Sequence, residues 1–94
     1  MNTDPTNNWG SLEGELVVLD LSSPYVYLGR LVSDRGDCLV LEDVDAHDLR
    51  DTATSREKYV LDCRMHGIHA NRRKVWVRKS DVVAVSRLDD VLVD

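Results

Sequence analysis

The amino-acid sequence predicts a mainly β protein, a small and strongly bent five-stranded barrel with an N-terminal turn and a helix between the third and fourth strands. Three observations predict it. Short runs rich in β-branched and aromatic residues recur along the chain, separated by polar turn formers. Two of these runs lie in Tyr25–Asp45 (YVYLGRLVSDRGDCLVLEDVD), where Tyr25–Val32 and Cys38–Val44 flank the polar knot Ser33-Asp34-Arg35-Gly36-Asp37. They read as a β-hairpin, with Gly36 supplying the positive φ that a tight connection needs. Gly29 interrupts the first run, and a glycine there marks a bend, a bulge or a close backbone approach, as a tightly curled barrel requires.

Residues 1–14, MNTDPTNNWGSLEG, are turn formers with only Trp9 and Leu12 as large apolar groups. A loose start to about Asn7 is expected, then a turn or one helical turn that lays Trp9 and Leu12 over a barrel opening. The barrel domain spans 15–88. Its first strand is Glu15–Leu21, with Leu16 and Val18 on one face and Val17, Leu19 and Leu21 on the other, so both faces are at least partly covered. Ser22-Ser23-Pro24 then turns the chain into the hairpin. After it, Ala46–Ala53 has no strand alternation, and Thr54-Ser55-Arg56-Glu57 spells a capping box with the Thr54 hydroxyl as the cap. Tyr59, Cys63 and His66 form a stripe with Val60 beside it, and Gly67 suits a C-terminal cap. Tyr59-Val60-Leu61 alone would suit a strand, but the cap and the stop favour a helical insertion over about 54–67, seated on one rim. The fourth strand is Lys74–Arg78, with Val75 and Val77 pointing one way and Lys74, Trp76 and Arg78 the other; Ser80-Asp81 turns into the fifth, Val82–Leu88. An acidic tail, 89–94, keeps Val91, Leu92 and Val93 between acids.

The order of strand, Gly29-Arg30-Leu31, an Asp-led turn at Asp34, Leu39-Val40-Leu41 and an acidic exit resembles the first signature of the Sm/LSm proteins, small five-stranded SH3-like barrels that assemble into rings and in many cases bind RNA. Val75–Val85 is similar to the second signature of that family, a strand, an Arg-Gly turn and a strand. Asp34 and Arg78 match. Cys38 stands where the family usually has an Asn that contacts a base, and Lys79 where it has the Gly of Arg-Gly. The resemblance implies a homo-oligomeric ring of five to seven copies, joined head to tail through strands four and five, with single-stranded RNA as the expected partner.

Ninety-four residues, 43% of them hydrophobic, make one domain with a small core, for which oligomerisation supplies welcome burial. No basic-then-apolar leader opens the chain and no run approaches the length of a membrane span, so a soluble, cytoplasmic protein without membrane contact is expected. Cys38 and Cys63 then read as reduced thiols and not as a disulfide. The net charge of −5 is uneven: residues 1–54 hold three arginines against eleven acids, −8, and residues 55–94 nine basic residues against six acids, +3. Between Arg64 and Lys79 lie six basic residues and no acid. Such a chain is no general polyanion binder, but it can bind one locally.

Three constellations carry possible chemistry. Cys63, His66 and His69, with Cys38 or His47, offer four ligands for tetrahedral zinc. The spacing lacks paired Cys-x-x-Cys, and a buried cysteine with surface histidines near a helix end explains it better, so no metal or other cofactor is expected. No acid, base and stabiliser can be put together from the remaining positions, which excludes an enzyme at this level. The third constellation is the basic band, where Arg72, Arg73 and Lys74 precede the fourth strand or open it, Arg78 and Lys79 follow, and Trp76 lies between. Cations for phosphate and planes for stacking are the means of binding single strands. With Asp34 and Cys38 carried over from the resemblance, these residues form the candidate RNA site. The alternative is a scaffold or protein-interaction ring that has lost that site, which accounts for Cys38, Lys79 and the negative charge.

Overall fold

The computed structural model describes residues 9–93, so the expectation of a loose start before Trp9 lies outside the described residues. Five strands, β1 (Leu16–Leu21), β2 (Tyr25–Asp34), β3 (Cys38–Asp48), β4 (Arg72–Arg78) and β5 (Val82–Arg87), form one antiparallel sheet in the order β4-β3-β2-β1-β5. A 3-10 turn, Leu49–Asp51, and one α-helix, α1 (Arg56–His66), lie between β3 and β4. The sheet is strongly bent and open, with β4 and β5 as its two margins.

The bend has a local cause. Leu28 pairs with Asp45 and Arg30 with Glu42, so Gly29 alone faces the two residues Asp43 and Val44. That is a β-bulge, which bends a strand and sharpens its twist. Asp43 takes φ 52°, the left-handed region that a short polar side chain tolerates better than most. Gly29 is needed for another reason, since a Cβ there would lie 3.0 Å from the Glu42 carbonyl oxygen and 3.1 Å from Val44 Cγ2. At the hairpin turn Gly36 has φ 86°, as expected of that connection.

Apolar residues fill two layers. Inside the curl, Val17, Leu19, Leu21, Leu31, Leu39, Leu41, Val44 and Val77 form the barrel core. Trp9 and Leu12 close over it from a 3-10 turn at Gly10–Leu12, as the sequence predicts. On the other face Val18, Val26 and Leu28 pack with Val60 and Cys63 of α1 and with Leu88. Both faces of β1 are therefore covered, as its continuous apolar run implies.

Several expectations are corrected. α1 does not sit on a rim but lies across the outer face of β1 and β2, because Val18, Val26 and Leu28 need a cover and its stripe provides one. Arg56 Nη1 anchors its first turn to Asp20 Oδ1 at 2.7 Å. Within the stripe Val60 and Cys63 are buried, whereas His66 is exposed. The cap is Ser55 and not Thr54: the Ser55 hydroxyl accepts from Lys58 N–H at 3.2 Å, one residue later than the capping box implies. Gly67 does cap the other end, with φ 92° and its N–H donating to Cys63 O at 2.9 Å. Replacing Ser55 by Ala is expected to lower stability by about 1 kcal/mol, and Thr54→Ala by less than about 0.5 kcal/mol, as read from urea unfolding midpoints. Ala46–Ala53 is also not free of strand, since β3 continues to Asp48 in register with Tyr25. Finally, Leu88 opens a 3-10 turn, Leu88–Asp90, and does not end β5.

Candidate nucleic-acid interface

The two turns that carry the candidate residues meet at one corner of the sheet. Antiparallel pairing of β3 with β4 sets Cys38 opposite Arg78, so the β2–β3 turn and the β4–β5 turn lie side by side. Lys79 N–H, the first amide of the 3-10 turn Lys79–Asp81, donates to Asp37 O at 2.9 Å and joins them. Gly36, Asp37, Arg78, Lys79 and Ser80 line an open depression of about 710 Å³ at this corner. Arg35 and Arg78 are exposed beside it.

Beneath the corner lies a nearly closed ion pair. Lys79 Nζ is 2.5 Å from Asp34 Oδ1, and the two side chains are only 7% and 11% exposed. Asp34 also accepts from Trp9 N–H at 3.0 Å and from Gly36 N–H at 3.1 Å. The Lys79 ammonium lies 5.4 Å from the centre of the Trp9 ring, a cation–π contact. Burial alone pushes the Asp34 carboxyl up. The hydrogen bonds from Lys79, Trp9 and Gly36 and the Lys79 charge outweigh it, so its pKa falls below the ordinary 3.8.

Cys38 is half-buried, and its thiol donates to Asp37 Oδ1 at 3.5 Å. Burial and the Asp37 carboxylate raise its pKa, against the pull of Arg35 and Arg78. It is not an activated thiolate. Both cysteines are free thiols, as expected of reduced residues.

The basic band does not form one patch. Arg72 is paired with Val44 and Arg78 with Cys38 at opposite ends of β4, which separates them by about 20 Å at the rise of a strand. Asp34, Cys38, Arg78 and Lys79 come together; Arg72, Arg73 and Lys74 stand at the far end. There Lys74 is 3.3 Å from Glu42, its cross-strand partner, and Arg72 Nη1 donates to the Asn71 carbonyl. Trp76 lies between the two groups on the outer face, 63% exposed, with Lys74 Nζ 5.7 Å from its ring centre.

Of the residues weighed as zinc ligands, only Cys38 stands apart. His47, Cys63, His66 and His69 line a cleft of about 620 Å³ with Asp45, Tyr59 and Asp62, while Cys38 belongs to the other corner. Among the described residues no group of three or more His, Cys, Asp or Glu side chains is placed to hold a metal ion. The cleft has a structural network that sequence reading missed. Asp45 is buried, and its carboxylate accepts from the Tyr59 hydroxyl and, at 3.4 Å, from Asn71 Nδ2. The Tyr59 ring stacks on His47 at 3.8 Å. Burial raises the Asp45 pKa against the pull of His47 and His69, and it pushes the Cys63 thiol up to about 11.

No protein-family model matches the sequence, and no curated protein matches it either. Solved structures match the fold. The Sm protein of Pyrococcus abyssii, solved in complex with a uridine heptamer, aligns over 90% of this chain and 99% of its own, with TM-score 0.56 and 19% identity. The SmAP (LSm) protein of Methanococcus vannielii aligns over 92% and 99%, with TM-score 0.55 and 20% identity. The chain therefore has an Sm-like fold. No helix among the described residues is long and apolar enough to cross a membrane.

Proposed function

We propose that this Sm-like barrel assembles head to tail with copies of itself into a ring and binds single-stranded RNA at the corner where its two turns meet. The observation that carries the reading is the convergence of the Asp34 turn and the Arg78 turn on one open depression. The shared fold with an Sm protein solved with a uridine heptamer supports it. Assembly is argued from the margins: β4 and β5 do not pair with each other, and uncovered strand edges invite a partner chain. Joining β4 of one copy to β5 of the next is a heterologous contact, which closes when the rotation per copy divides the circle.

In this reading Arg78 is the cation that meets phosphate, and Trp76 offers a plane for stacking. Arg72, Arg73 and Lys74 add a second, separate set of charges. Fluorescence anisotropy with short uridine and adenine oligonucleotides at about 50 mM salt tests it. Binding is expected to weaken steeply as salt rises, and Arg78→Ala to weaken it more than about tenfold. Light scattering, with and without the oligonucleotide, is expected to report a multiple of the protomer mass. Absence of binding to either oligonucleotide overturns the RNA reading. The hidden Lys79 ammonium, the engaged Cys38 thiol and the net charge of −5 would then favour the protein-interaction ring.

A further inference from the structure

We infer that Lys79 is a positioning residue of the RNA site and not one of its phosphate contacts, and that Trp9 and Asp34 complete the device through which it acts. The inference rests on the RNA reading of the same corner. A cation that meets a polyanion has to present its ammonium to solvent, as Arg78 does with its guanidinium. The Lys79 side chain is 7% exposed and turns inward, onto Asp34 Oδ1 and toward the Trp9 ring. Withdrawing it to reach a phosphate would leave Asp34 buried without that counter-charge, at a cost that a single exposed phosphate contact does not repay.

What Lys79 does instead follows from its two attachments. Its amide holds Asp37 O and its ammonium holds Asp34, so one residue ties the β4–β5 turn to both ends of the β2–β3 turn. Arg78 is its immediate neighbour, opposite Cys38 at the end of β4, so its backbone is held with it. The N-terminal segment is tied into the same point, since Trp9 N–H and Gly36 N–H share the Asp34 carboxylate and Glu13 Oε2 accepts from Asp34 N–H at 3.1 Å. Preorganised cations lose less freedom on binding than mobile ones.

The slope of log affinity against log salt separates the roles, because each phosphate contact on a single strand contributes about 0.7 to it. For a short uridine oligonucleotide, Lys79→Met is expected to weaken binding about tenfold at an unchanged slope, and Arg78→Met to weaken it with the slope reduced by about 0.7. Asp34→Asn separates the two roles by sign. A positioning Lys79 loses its anchor, so binding weakens at constant slope; a phosphate-binding Lys79 is released, so binding tightens and the slope steepens. A reduced slope for Lys79→Met, or unchanged or tighter binding for Asp34→Asn, overturns the inference. A readout without RNA keeps it testable if the wild-type chain binds none: hydrogen exchange of the Lys79 amide is expected to accelerate at least about tenfold in Asp34→Asn. Unchanged exchange there refutes the tie between the turns, whereas absent RNA binding alone refutes the function.

Discussion

Gly29→Val is expected to destabilise the fold by about 3 kcal/mol or more, and Gly29→Ala by about 1–3 kcal/mol. A methyl at this position meets backbone, the Glu42 carbonyl oxygen at 3.0 Å and Val44 Cα at 3.2 Å, and not the yielding end of a long side chain. Relief requires the bulged residues of β3 to move away from β2. Val44 is one of them and belongs to the barrel core, and the buried Asp45 that follows it bonds Tyr59 of the outer layer, so the displacement spreads into both layers. Urea unfolding at one protomer concentration, with light scattering to show that both proteins have the same assembly state, measures the loss. A Gly29→Val protein within about 0.5 kcal/mol of the parent would show that β2 and β3 separate easily at the bend.

Asp34→Asn is expected to cost about 3 kcal/mol at neutral pH. Breaking a buried ion pair by removing one partner costs roughly 3–5 kcal/mol, and the slight exposure of this pair places it at the lower end. The pH dependence follows from the direction of the shift. Because the folded pKa of Asp34 is lowered, its contribution is fully present above 3.8 and disappears as pH falls through the lowered value. Asp48, held at about 2 by its hydrogen bonds from Arg50, loses its contribution over the same acid range. Asp45 acts in the opposite sense. Its folded pKa is raised, so acidification from neutral pH through that value toward 3.8 adds stability. Unfolding free energy is thus expected to rise slightly on mild acidification and to fall below 3.8. The fall should be shallower in Asp34→Asn; parallel acid limbs for the two proteins would contradict the assignment.

Local signals were the legible ones. The hairpin, the Gly36 turn, the interruption at Gly29 and the Gly67 stop each depend on a few adjacent residues, and the structure has all four. The helix cap was displaced by one residue because Thr54 and Ser55 offer the same hydroxyl, and only the backbone path selects between them. The path of α1 was not legible, since a stripe of Val60 and Cys63 says that a face is covered but not which one. At the candidate site, the basic band looked continuous along the chain because its members are neighbours in sequence. An extended strand then separates Arg72 from Arg78 by its full length. The Asp34–Lys79 pair was hidden for the opposite reason, its partners being far apart in sequence and brought together only by the β3–β4 register. A lysine standing where the family signature has glycine was the available hint. The Asp45–Tyr59 contact gave none, since Tyr59 reads as one member of the helical stripe and nothing local pairs it with Asp45.

The rung at which Gly29 faces Asp43 and Val44 lies between the two margins of the sheet, and so do the register shifts at Leu31/Ser33 and Asp20/Leu21. Together these shifts bear on the angle between the two outermost strands, and in the ring proposed above that angle would fix how far each copy is turned from the last. Six copies require about 60° per step and seven about 51°. A change of about 9° in the turn per copy would therefore separate one stoichiometry of that ring from the next.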